Sequence, residues 1–278
     1  MAQRAHIPVH TLSVGDTERE AILACFDRGE LSGNSPVVGR FEEAFAAYLG
    51  VDHAIAVSSG TAALQVVMAA LDLQPGDEVI VPSFSFAPCA DMVVRAGGIA
   101  VFADCDPETF NMGQAEVTAA LTPATRAVLA VHMYGHPCDL QDLQALCDEH
   151  GLLLIEDAAQ APGATYHGRH AGTLGHIGVF SLNFHKTIHC GEGGIVVTDD
   201  EQLAFRLQHI RNHAEVVVKD SGMENLVNMV GFNFRMTEIE AAIAYEQLLK
   251  LEDLLTEREQ VAEYLTQELS GLAGFTLP

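Results

Sequence analysis

The sequence contains no tryptophan, and lysine occurs only at Lys186, Lys219 and Lys250. Lys and Arg together number 14 against 38 Asp and Glu, a formal net charge of −24. An acidic excess of this size repels phosphate backbones and anionic headgroups, which argues against nucleic acid and membrane surfaces as partners. Long apolar runs are also missing. Asp, Arg, His or Pro interrupts each stretch before it reaches the ~18 residues of a membrane span. The six cysteines (Cys25, Cys89, Cys105, Cys138, Cys147, Cys190) form no C-x-x-C pair and no regular spacing. That argues against a zinc module or a disulfide framework, so no metal site is expected and the thiols read as reduced. The opening MAQRAHIPVH lacks the apolar run of a signal peptide, and a cytoplasmic location is the expectation. Charged residues make up 19% against 49% hydrophobic, which excludes general disorder.

Within the 278 residues, short β-branched runs alternate with helical patterns. AIAVSS (54–59), EVIVPS (78–83), IAVFAD (99–104), AVLAVH (127–132) and LLLIED (152–157) are near-continuously apolar. Such runs read as strands buried on both faces, as in a parallel sheet covered by helices. TAALQVVMAALDL, SFAPCADMVVRAG and DLQDLQALCDEHG between them are each long enough for a crossover helix. The alternation predicts a doubly wound α/β fold. GVFSLN (178–183) and GGIVVTDD (193–200) extend the same sheet, and helices are expected over roughly 200–213 and 237–270. Ahead of the sheet, residues 1–50 read as a helical lead-in. One helix ends at Gly29, a Gly/Pro/Asn loop covers 31–39, and a second helix ends at Gly50.

Three features could carry chemistry together. Ser58-Ser59-Gly60-Thr61 lies between a strand and a helix, where backbone N–H groups and the helix dipole suit a phosphate, although taken alone such a turn is more often a plain N-cap. Asp157 ends a strand at the edge where open parallel sheets bind ligands. It could serve a metal, a ribose hydroxyl or a protonated ring nitrogen, or merely cap the following helix. Lys186 sits among Phe180, Phe184 and apolar residues, a setting that strips solvation from an ammonium and makes its amine nucleophilic. A phosphate cradle, a strand-end acid and a later lysine beside Gly191-Glu192-Gly193-Gly194 match the needs of pyridoxal phosphate.

SSGTAALQ, PGDEVIVPSFSF, VFADCDPETFNM, VHMYGHPCDL, IEDAAQAPGATYHG, FSLNFHKTIHCGEGGIVVTDD and GFNFRMTEIEAAIA follow one another in an order that resembles the DegT/DnrJ/EryC1/StrS aminotransferases. The resemblance implies a fold-type-I pyridoxal-phosphate enzyme, with a mostly parallel seven-stranded sheet sandwiched by helices. It divides the chain into the lead-in 1–50, a cofactor-binding large domain 51–245, and a segment 246–278 that holds a long helix and the start of a small C-terminal domain largely absent here. It implies that Lys186 bonds the cofactor and then shuttles a proton, and that Asp157 pairs with the pyridine nitrogen. Ser59, Gly60, Thr61 and Ser181 hold the phosphate. Phe86 stacks on the ring, Gln160 sits near the ring's oxygen, and Asn233 reaches a partner's phosphate across a homodimer interface.

The reaction so implied moves an amino group from glutamate or glutamine to a keto sugar, nucleotide-linked in most of the family, in a ping-pong cycle. Arg211, Lys219 and Arg235 are the candidates for a basic patch toward such an anionic substrate. Two other readings stand beside it. One is a non-catalytic or partner-dependent subunit, completed by a second chain that supplies the C-terminal domain. The other is a pyridoxal-phosphate-dependent sugar dehydratase, disfavoured because that branch carries histidine where this chain has Lys186.

Overall fold

The computed structural model describes residues 11–33, 35–214, 229–274, 276 and 277, so Lys219 lies outside the described residues. Two helices, α1 (Asp16–Arg28) and α2 (Pro36–Leu49), precede β1 (His53–Val57). Then come α3 (Gly60–Ala70), β2 (Glu78–Pro82), α4 (Pro88–Arg95), β3 (Ile99–Ala103), α5 (Gln114–Ala120) and β4 (Thr125–Val131). They are followed by α6 (Leu140–His150), β5 (Leu153–Asp157), the short pair β6 (Thr165–Tyr166) and β7 (Arg169–His170), β8 (Ile177–Ser181) and β9 (Gly194–Thr198). The helices α7 (Glu201–Arg211), α8 (Glu238–Leu248) and α9 (Leu251–Leu269) complete the described chain.

Seven strands form one sheet in the order β1-β9-β8-β5-β4-β2-β3. Neighbours from β8 to β3 are parallel, and β9 alone runs antiparallel, between β1 and β8. β1 therefore points the same way as the parallel strands, so six strands end along one edge. The seven apolar runs of the sequence all become strands of this sheet, as expected. Side chains alternate between its faces. Ile55, Val57, Val81, Leu129, Ile155 and Val196 pack under α3, α4 and α7. On the other face Ala56, Phe180 and Ile195 meet α2 and α8, while Val128, Ala130 and Leu154 meet α5 and α6. That two-sided burial is why these runs are continuously apolar rather than alternating; the edge strand β3 departs from the expectation, with Ile99 and Phe102 exposed.

Two local expectations change. Pro36–Gly39 is the first turn of α2 and not loop, because Pro36 at the first helical position fits a helix start and Ser35 takes the extended N-cap conformation. Phe41 and Phe45 of that helix are buried and stack edge-on toward Phe180 of the sheet. The helix expected over 237–270 breaks into α8 and α9 at Leu249–Lys250. No Gly or Pro marks the spot. Lys250 is pulled to Glu18 on α1, while Leu251 is buried in the core, so tertiary contacts set the break. The short α5 and the β6–β7 hairpin carry too little periodicity to be read from the sequence.

Candidate active site

The carboxyl-terminal edge of the sheet gathers the groups that lie just beyond its strands: the Ser58–Thr61 turn after β1, Phe86 after β2, Asp157 at the end of β5, and Ser181 through Lys186 after β8. A cleft of about 490 Å³ opens there. Its walls include Ser59, Gly60, Thr61, Phe86, Asp157, Gln160, Ser181 and Lys186, together with Asn183, His185 and Glu192. Eight of the nine sequence-predicted site residues thus line a single cavity. Asn233 is the exception. It is exposed, pairs as a backbone bridge with Asn212, and does not line the cleft of its own chain.

Close backbone approach builds one end of the cleft. Ser59 is the N-cap of α3, its hydroxyl accepting the Ala62 N–H at 3.0 Å. The Gly60 and Thr61 amides have no preceding helical carbonyl to bond, so they are available at the positive end of the helix. A Cβ on Gly60 would stand 2.8 Å from the Ser181 Cβ, and one on Gly194 would stand 2.5 Å from the Ser59 carbonyl oxygen. Glycine at both positions lets the turn, β8 and β9 meet, which brings the Ser181 hydroxyl beside the first turn of α3.

The other end is acidic and buried. Asp157 is 6% exposed, with the Ala159 N–H donating to Oδ1 at 3.0 Å and the Cys89 thiol to Oδ2 at 3.4 Å. Burial pushes its carboxyl upward, while those two donors and the Lys186 ammonium pull the other way. Burial likewise pushes Lys186 below the usual lysine range, opposed by the Asp157 charge. Gln160 accepts the Tyr134 N–H at 2.9 Å, and Phe86 stands at the mouth, 71% exposed.

Beneath Asp157, Glu156 is fully buried and accepts four donors. His132 Nε2 lies at 2.9 Å, the Gly172 and Leu174 amides at 2.7 Å, and the Gly175 amide at 2.5 Å. The Cys138 N–H bonds His132 Nδ1 at 3.2 Å, which leaves the imidazole proton on Nε2, facing Glu156. This anchor, the Cys89 contact and the bond from Asn183 to Glu192 at 2.9 Å are not among the sequence-predicted roles. Of the three candidates for a basic patch, the two among the described residues are engaged by neighbours. Arg211 is mostly buried against Glu42 and the Ala56 carbonyl, and Arg235 bonds Asn212 at 2.6 Å.

The model of the DegT/DnrJ/EryC1/StrS aminotransferase family matches residues 13–278. The chain belongs to that family. It is a pyridoxal-phosphate-dependent aminotransferase, and its sheet is the mostly parallel, helix-flanked one expected of a DegT/DnrJ/EryC1/StrS member. A GDP-perosamine synthase of Caulobacter vibrioides is 40% identical over 99% of this chain and 73% of its own. The solved structure of an aminotransferase from Psychrobacter cryohalolentis superposes with a TM-score of 0.89 at 33% identity, covering 95% of this chain and 69% of that one. An E. coli GDP-4-keto-6-deoxy-D-mannose-3-dehydratase, solved with bound hydrated PLP, matches with a TM-score of 0.88 at 30% identity, over 96% of this chain and 73% of that one. Among the described residues, no helix is long and apolar enough to cross a membrane.

Proposed function

We propose that this cleft binds pyridoxal phosphate and transfers an amino group from glutamate or glutamine to a keto sugar carried on a nucleoside diphosphate. The observation that carries the reading is that Lys186, Asp157 and the Ser59–Thr61 turn converge on one cavity. The donor set fits the cofactor. A nucleophilic amine, a buried acid and a helix N-terminus with a hydroxyl alongside are the three groups that an aldehyde, a pyridine nitrogen and a phosphate require. GDP-perosamine synthase and dehydratase relatives support a nucleotide-linked sugar as the acceptor.

Bound there, pyridoxal phosphate supplies an electron sink that acidifies the C–H beside the amino group. The chain's own residues supply the rest. The Gly60 and Thr61 amides with the Ser59, Thr61 and Ser181 hydroxyls would hold the phosphate, and Asp157 would pair with the ring nitrogen. Lys186, whose amine burial makes easier to deprotonate, would hold the cofactor's aldehyde carbon through Nζ and would then be placed to carry the proton. Phe86 would cover one ring face and exclude water, and Gln160 would stand near the ring oxygen. In a homodimer, Asn233 extends toward the partner's phosphate site, which fits its exposure and its absence from its own cleft.

The test is an absorption spectrum of the purified protein with pyridoxal phosphate, before and after glutamate. A visible band that requires Lys186 and bleaches on adding glutamate is expected. Lys186→Ala abolishes transamination while leaving the protein folded. Full activity in that variant overturns the assignment. With a keto-sugar acceptor, the product gains nitrogen; loss of water instead would move the enzyme to the dehydratases.

A further inference from the structure

Cys89 stands in the first turn of α4, 1% exposed, with its sulfur 3.4 Å from Asp157 Oδ2. Burial and the charge of Asp157 both push the thiol upward, so the proton stays on sulfur and the bond runs from Cys89 to the carboxylate. Among the described residues, the thiol and the Ala159 amide are the two hydrogen-bond donors to Asp157. The charged or titratable groups acting on it are Lys186, from the loop after β8, and His132, at the end of β4. Burial favours the neutral acid at this position, and each donor favours the anion.

We propose that Cys89 is a positioning residue whose thiol keeps the buried Asp157 carboxylate ionised, so that the proton shared with the cofactor's pyridine nitrogen rests on the nitrogen. The inference rests on the reading of Asp157 given above. A carboxylic acid at this position would donate to a neutral ring, and the ring would lose its electron-withdrawing power. A thiol is a weak donor, whereas a hydroxyl is a stronger one and a methyl group none. Cys89→Ser and Cys89→Ala therefore act in opposite senses.

Two measurements on both variants, the parent protein and Asp157→Asn test this. In apoprotein labelled with ¹³C at aspartate carboxyls, the Asp157 titration midpoint moves up in Cys89→Ala and down in Cys89→Ser, each by up to about one unit. In holoenzyme reconstituted with ¹⁵N-labelled pyridoxal phosphate, the ring signal moves toward neutral pyridine in Cys89→Ala and toward pyridinium in Cys89→Ser. A purely structural role moves both variants the same way. Shifts of the same sign, or none in either variant, overturn the role of Cys89 and leave Asp157 standing. A ring that stays fully protonated in Asp157→Asn overturns the Asp157 reading, and the Cys89 inference with it.

Discussion

Burial and an opposing charge compete at Lys186, and burial wins, leaving the ammonium below the ordinary lysine value. Capture of pyridoxal phosphate should accelerate as the amine loses its proton and level off below the usual lysine midpoint of about 10.4. Asp157→Asn removes the charge that favours the ammonium, so the plateau should move to still lower pH. Stopped-flow capture rates across pH measure this, and a shift to higher pH would contradict the pairing. Gly60→Ala would press a methyl group against Ser181, at 2.8 Å, and spread the phosphate end of the cleft. Affinity for pyridoxal phosphate should fall by about tenfold or more, measurable by equilibrium titration, with a loss of stability of about 1–3 kcal/mol from the overpacked contact. Lys186 was legible in the sequence because lysine is so scarce and its neighbours are aromatic. Cys89 was not, since nothing local ties it to Asp157, 68 positions away.

Between elements, polar groups buried at helix contacts fix how the layers meet. Burial pushes the Glu18 carboxyl on α1 upward, but Lys250, Gln247 at 2.7 Å and the Gly15 amide at 2.8 Å outweigh it and hold the group at about 2, against an ordinary 4.5. A depressed carboxyl stabilises the fold above its unfolded value, and that contribution is lost as pH falls from about 4.5 toward 2. Glu18→Gln should therefore cost about 1–3 kcal/mol near neutral pH. Its stability should also fall less steeply on acidification. Urea unfolding at several pH values reads both effects, and parallel acid limbs would rule the clamp out. The same contact explains why the 237–270 helix could not be read correctly. Its break lies in a uniformly helix-forming sequence and is imposed from α1. The seven strands of the main sheet, by contrast, were readable because each writes itself as an unbroken apolar run, which two-sided burial demands of all but the edge strand β3. The start of α2 was hidden by a Gly/Pro/Asn composition that resembles a loop until Pro36 is placed at its first turn.

Across the whole molecule, the net charge of −24 opposes the approach of any anionic sugar nucleotide. With Arg211 and Arg235 both engaged by neighbouring side chains, screening should help the encounter. Raising ionic strength from about 10 to 150 mM should increase kcat/KM for a charged acceptor and leave that for a neutral keto sugar unchanged. A fall with salt would reveal a cationic steering surface instead. The antiparallel β9 has a consequence for how the protein reaches its working state. The hairpin from β8 to β9, with Lys186 in its loop, is local and can close early. The Ser59 turn comes after β1, however, and β1 joins the sheet by pairing Val57 with Gly194, far along the chain. Long-range pairings of this kind carry the heaviest loop-closure entropy and form late. The two ends of the cofactor cleft therefore meet only when the last edge of the sheet closes. Cofactor capture becomes a report that folding is finished, and free pyridoxal phosphate draws the chain toward that closed state by mass action.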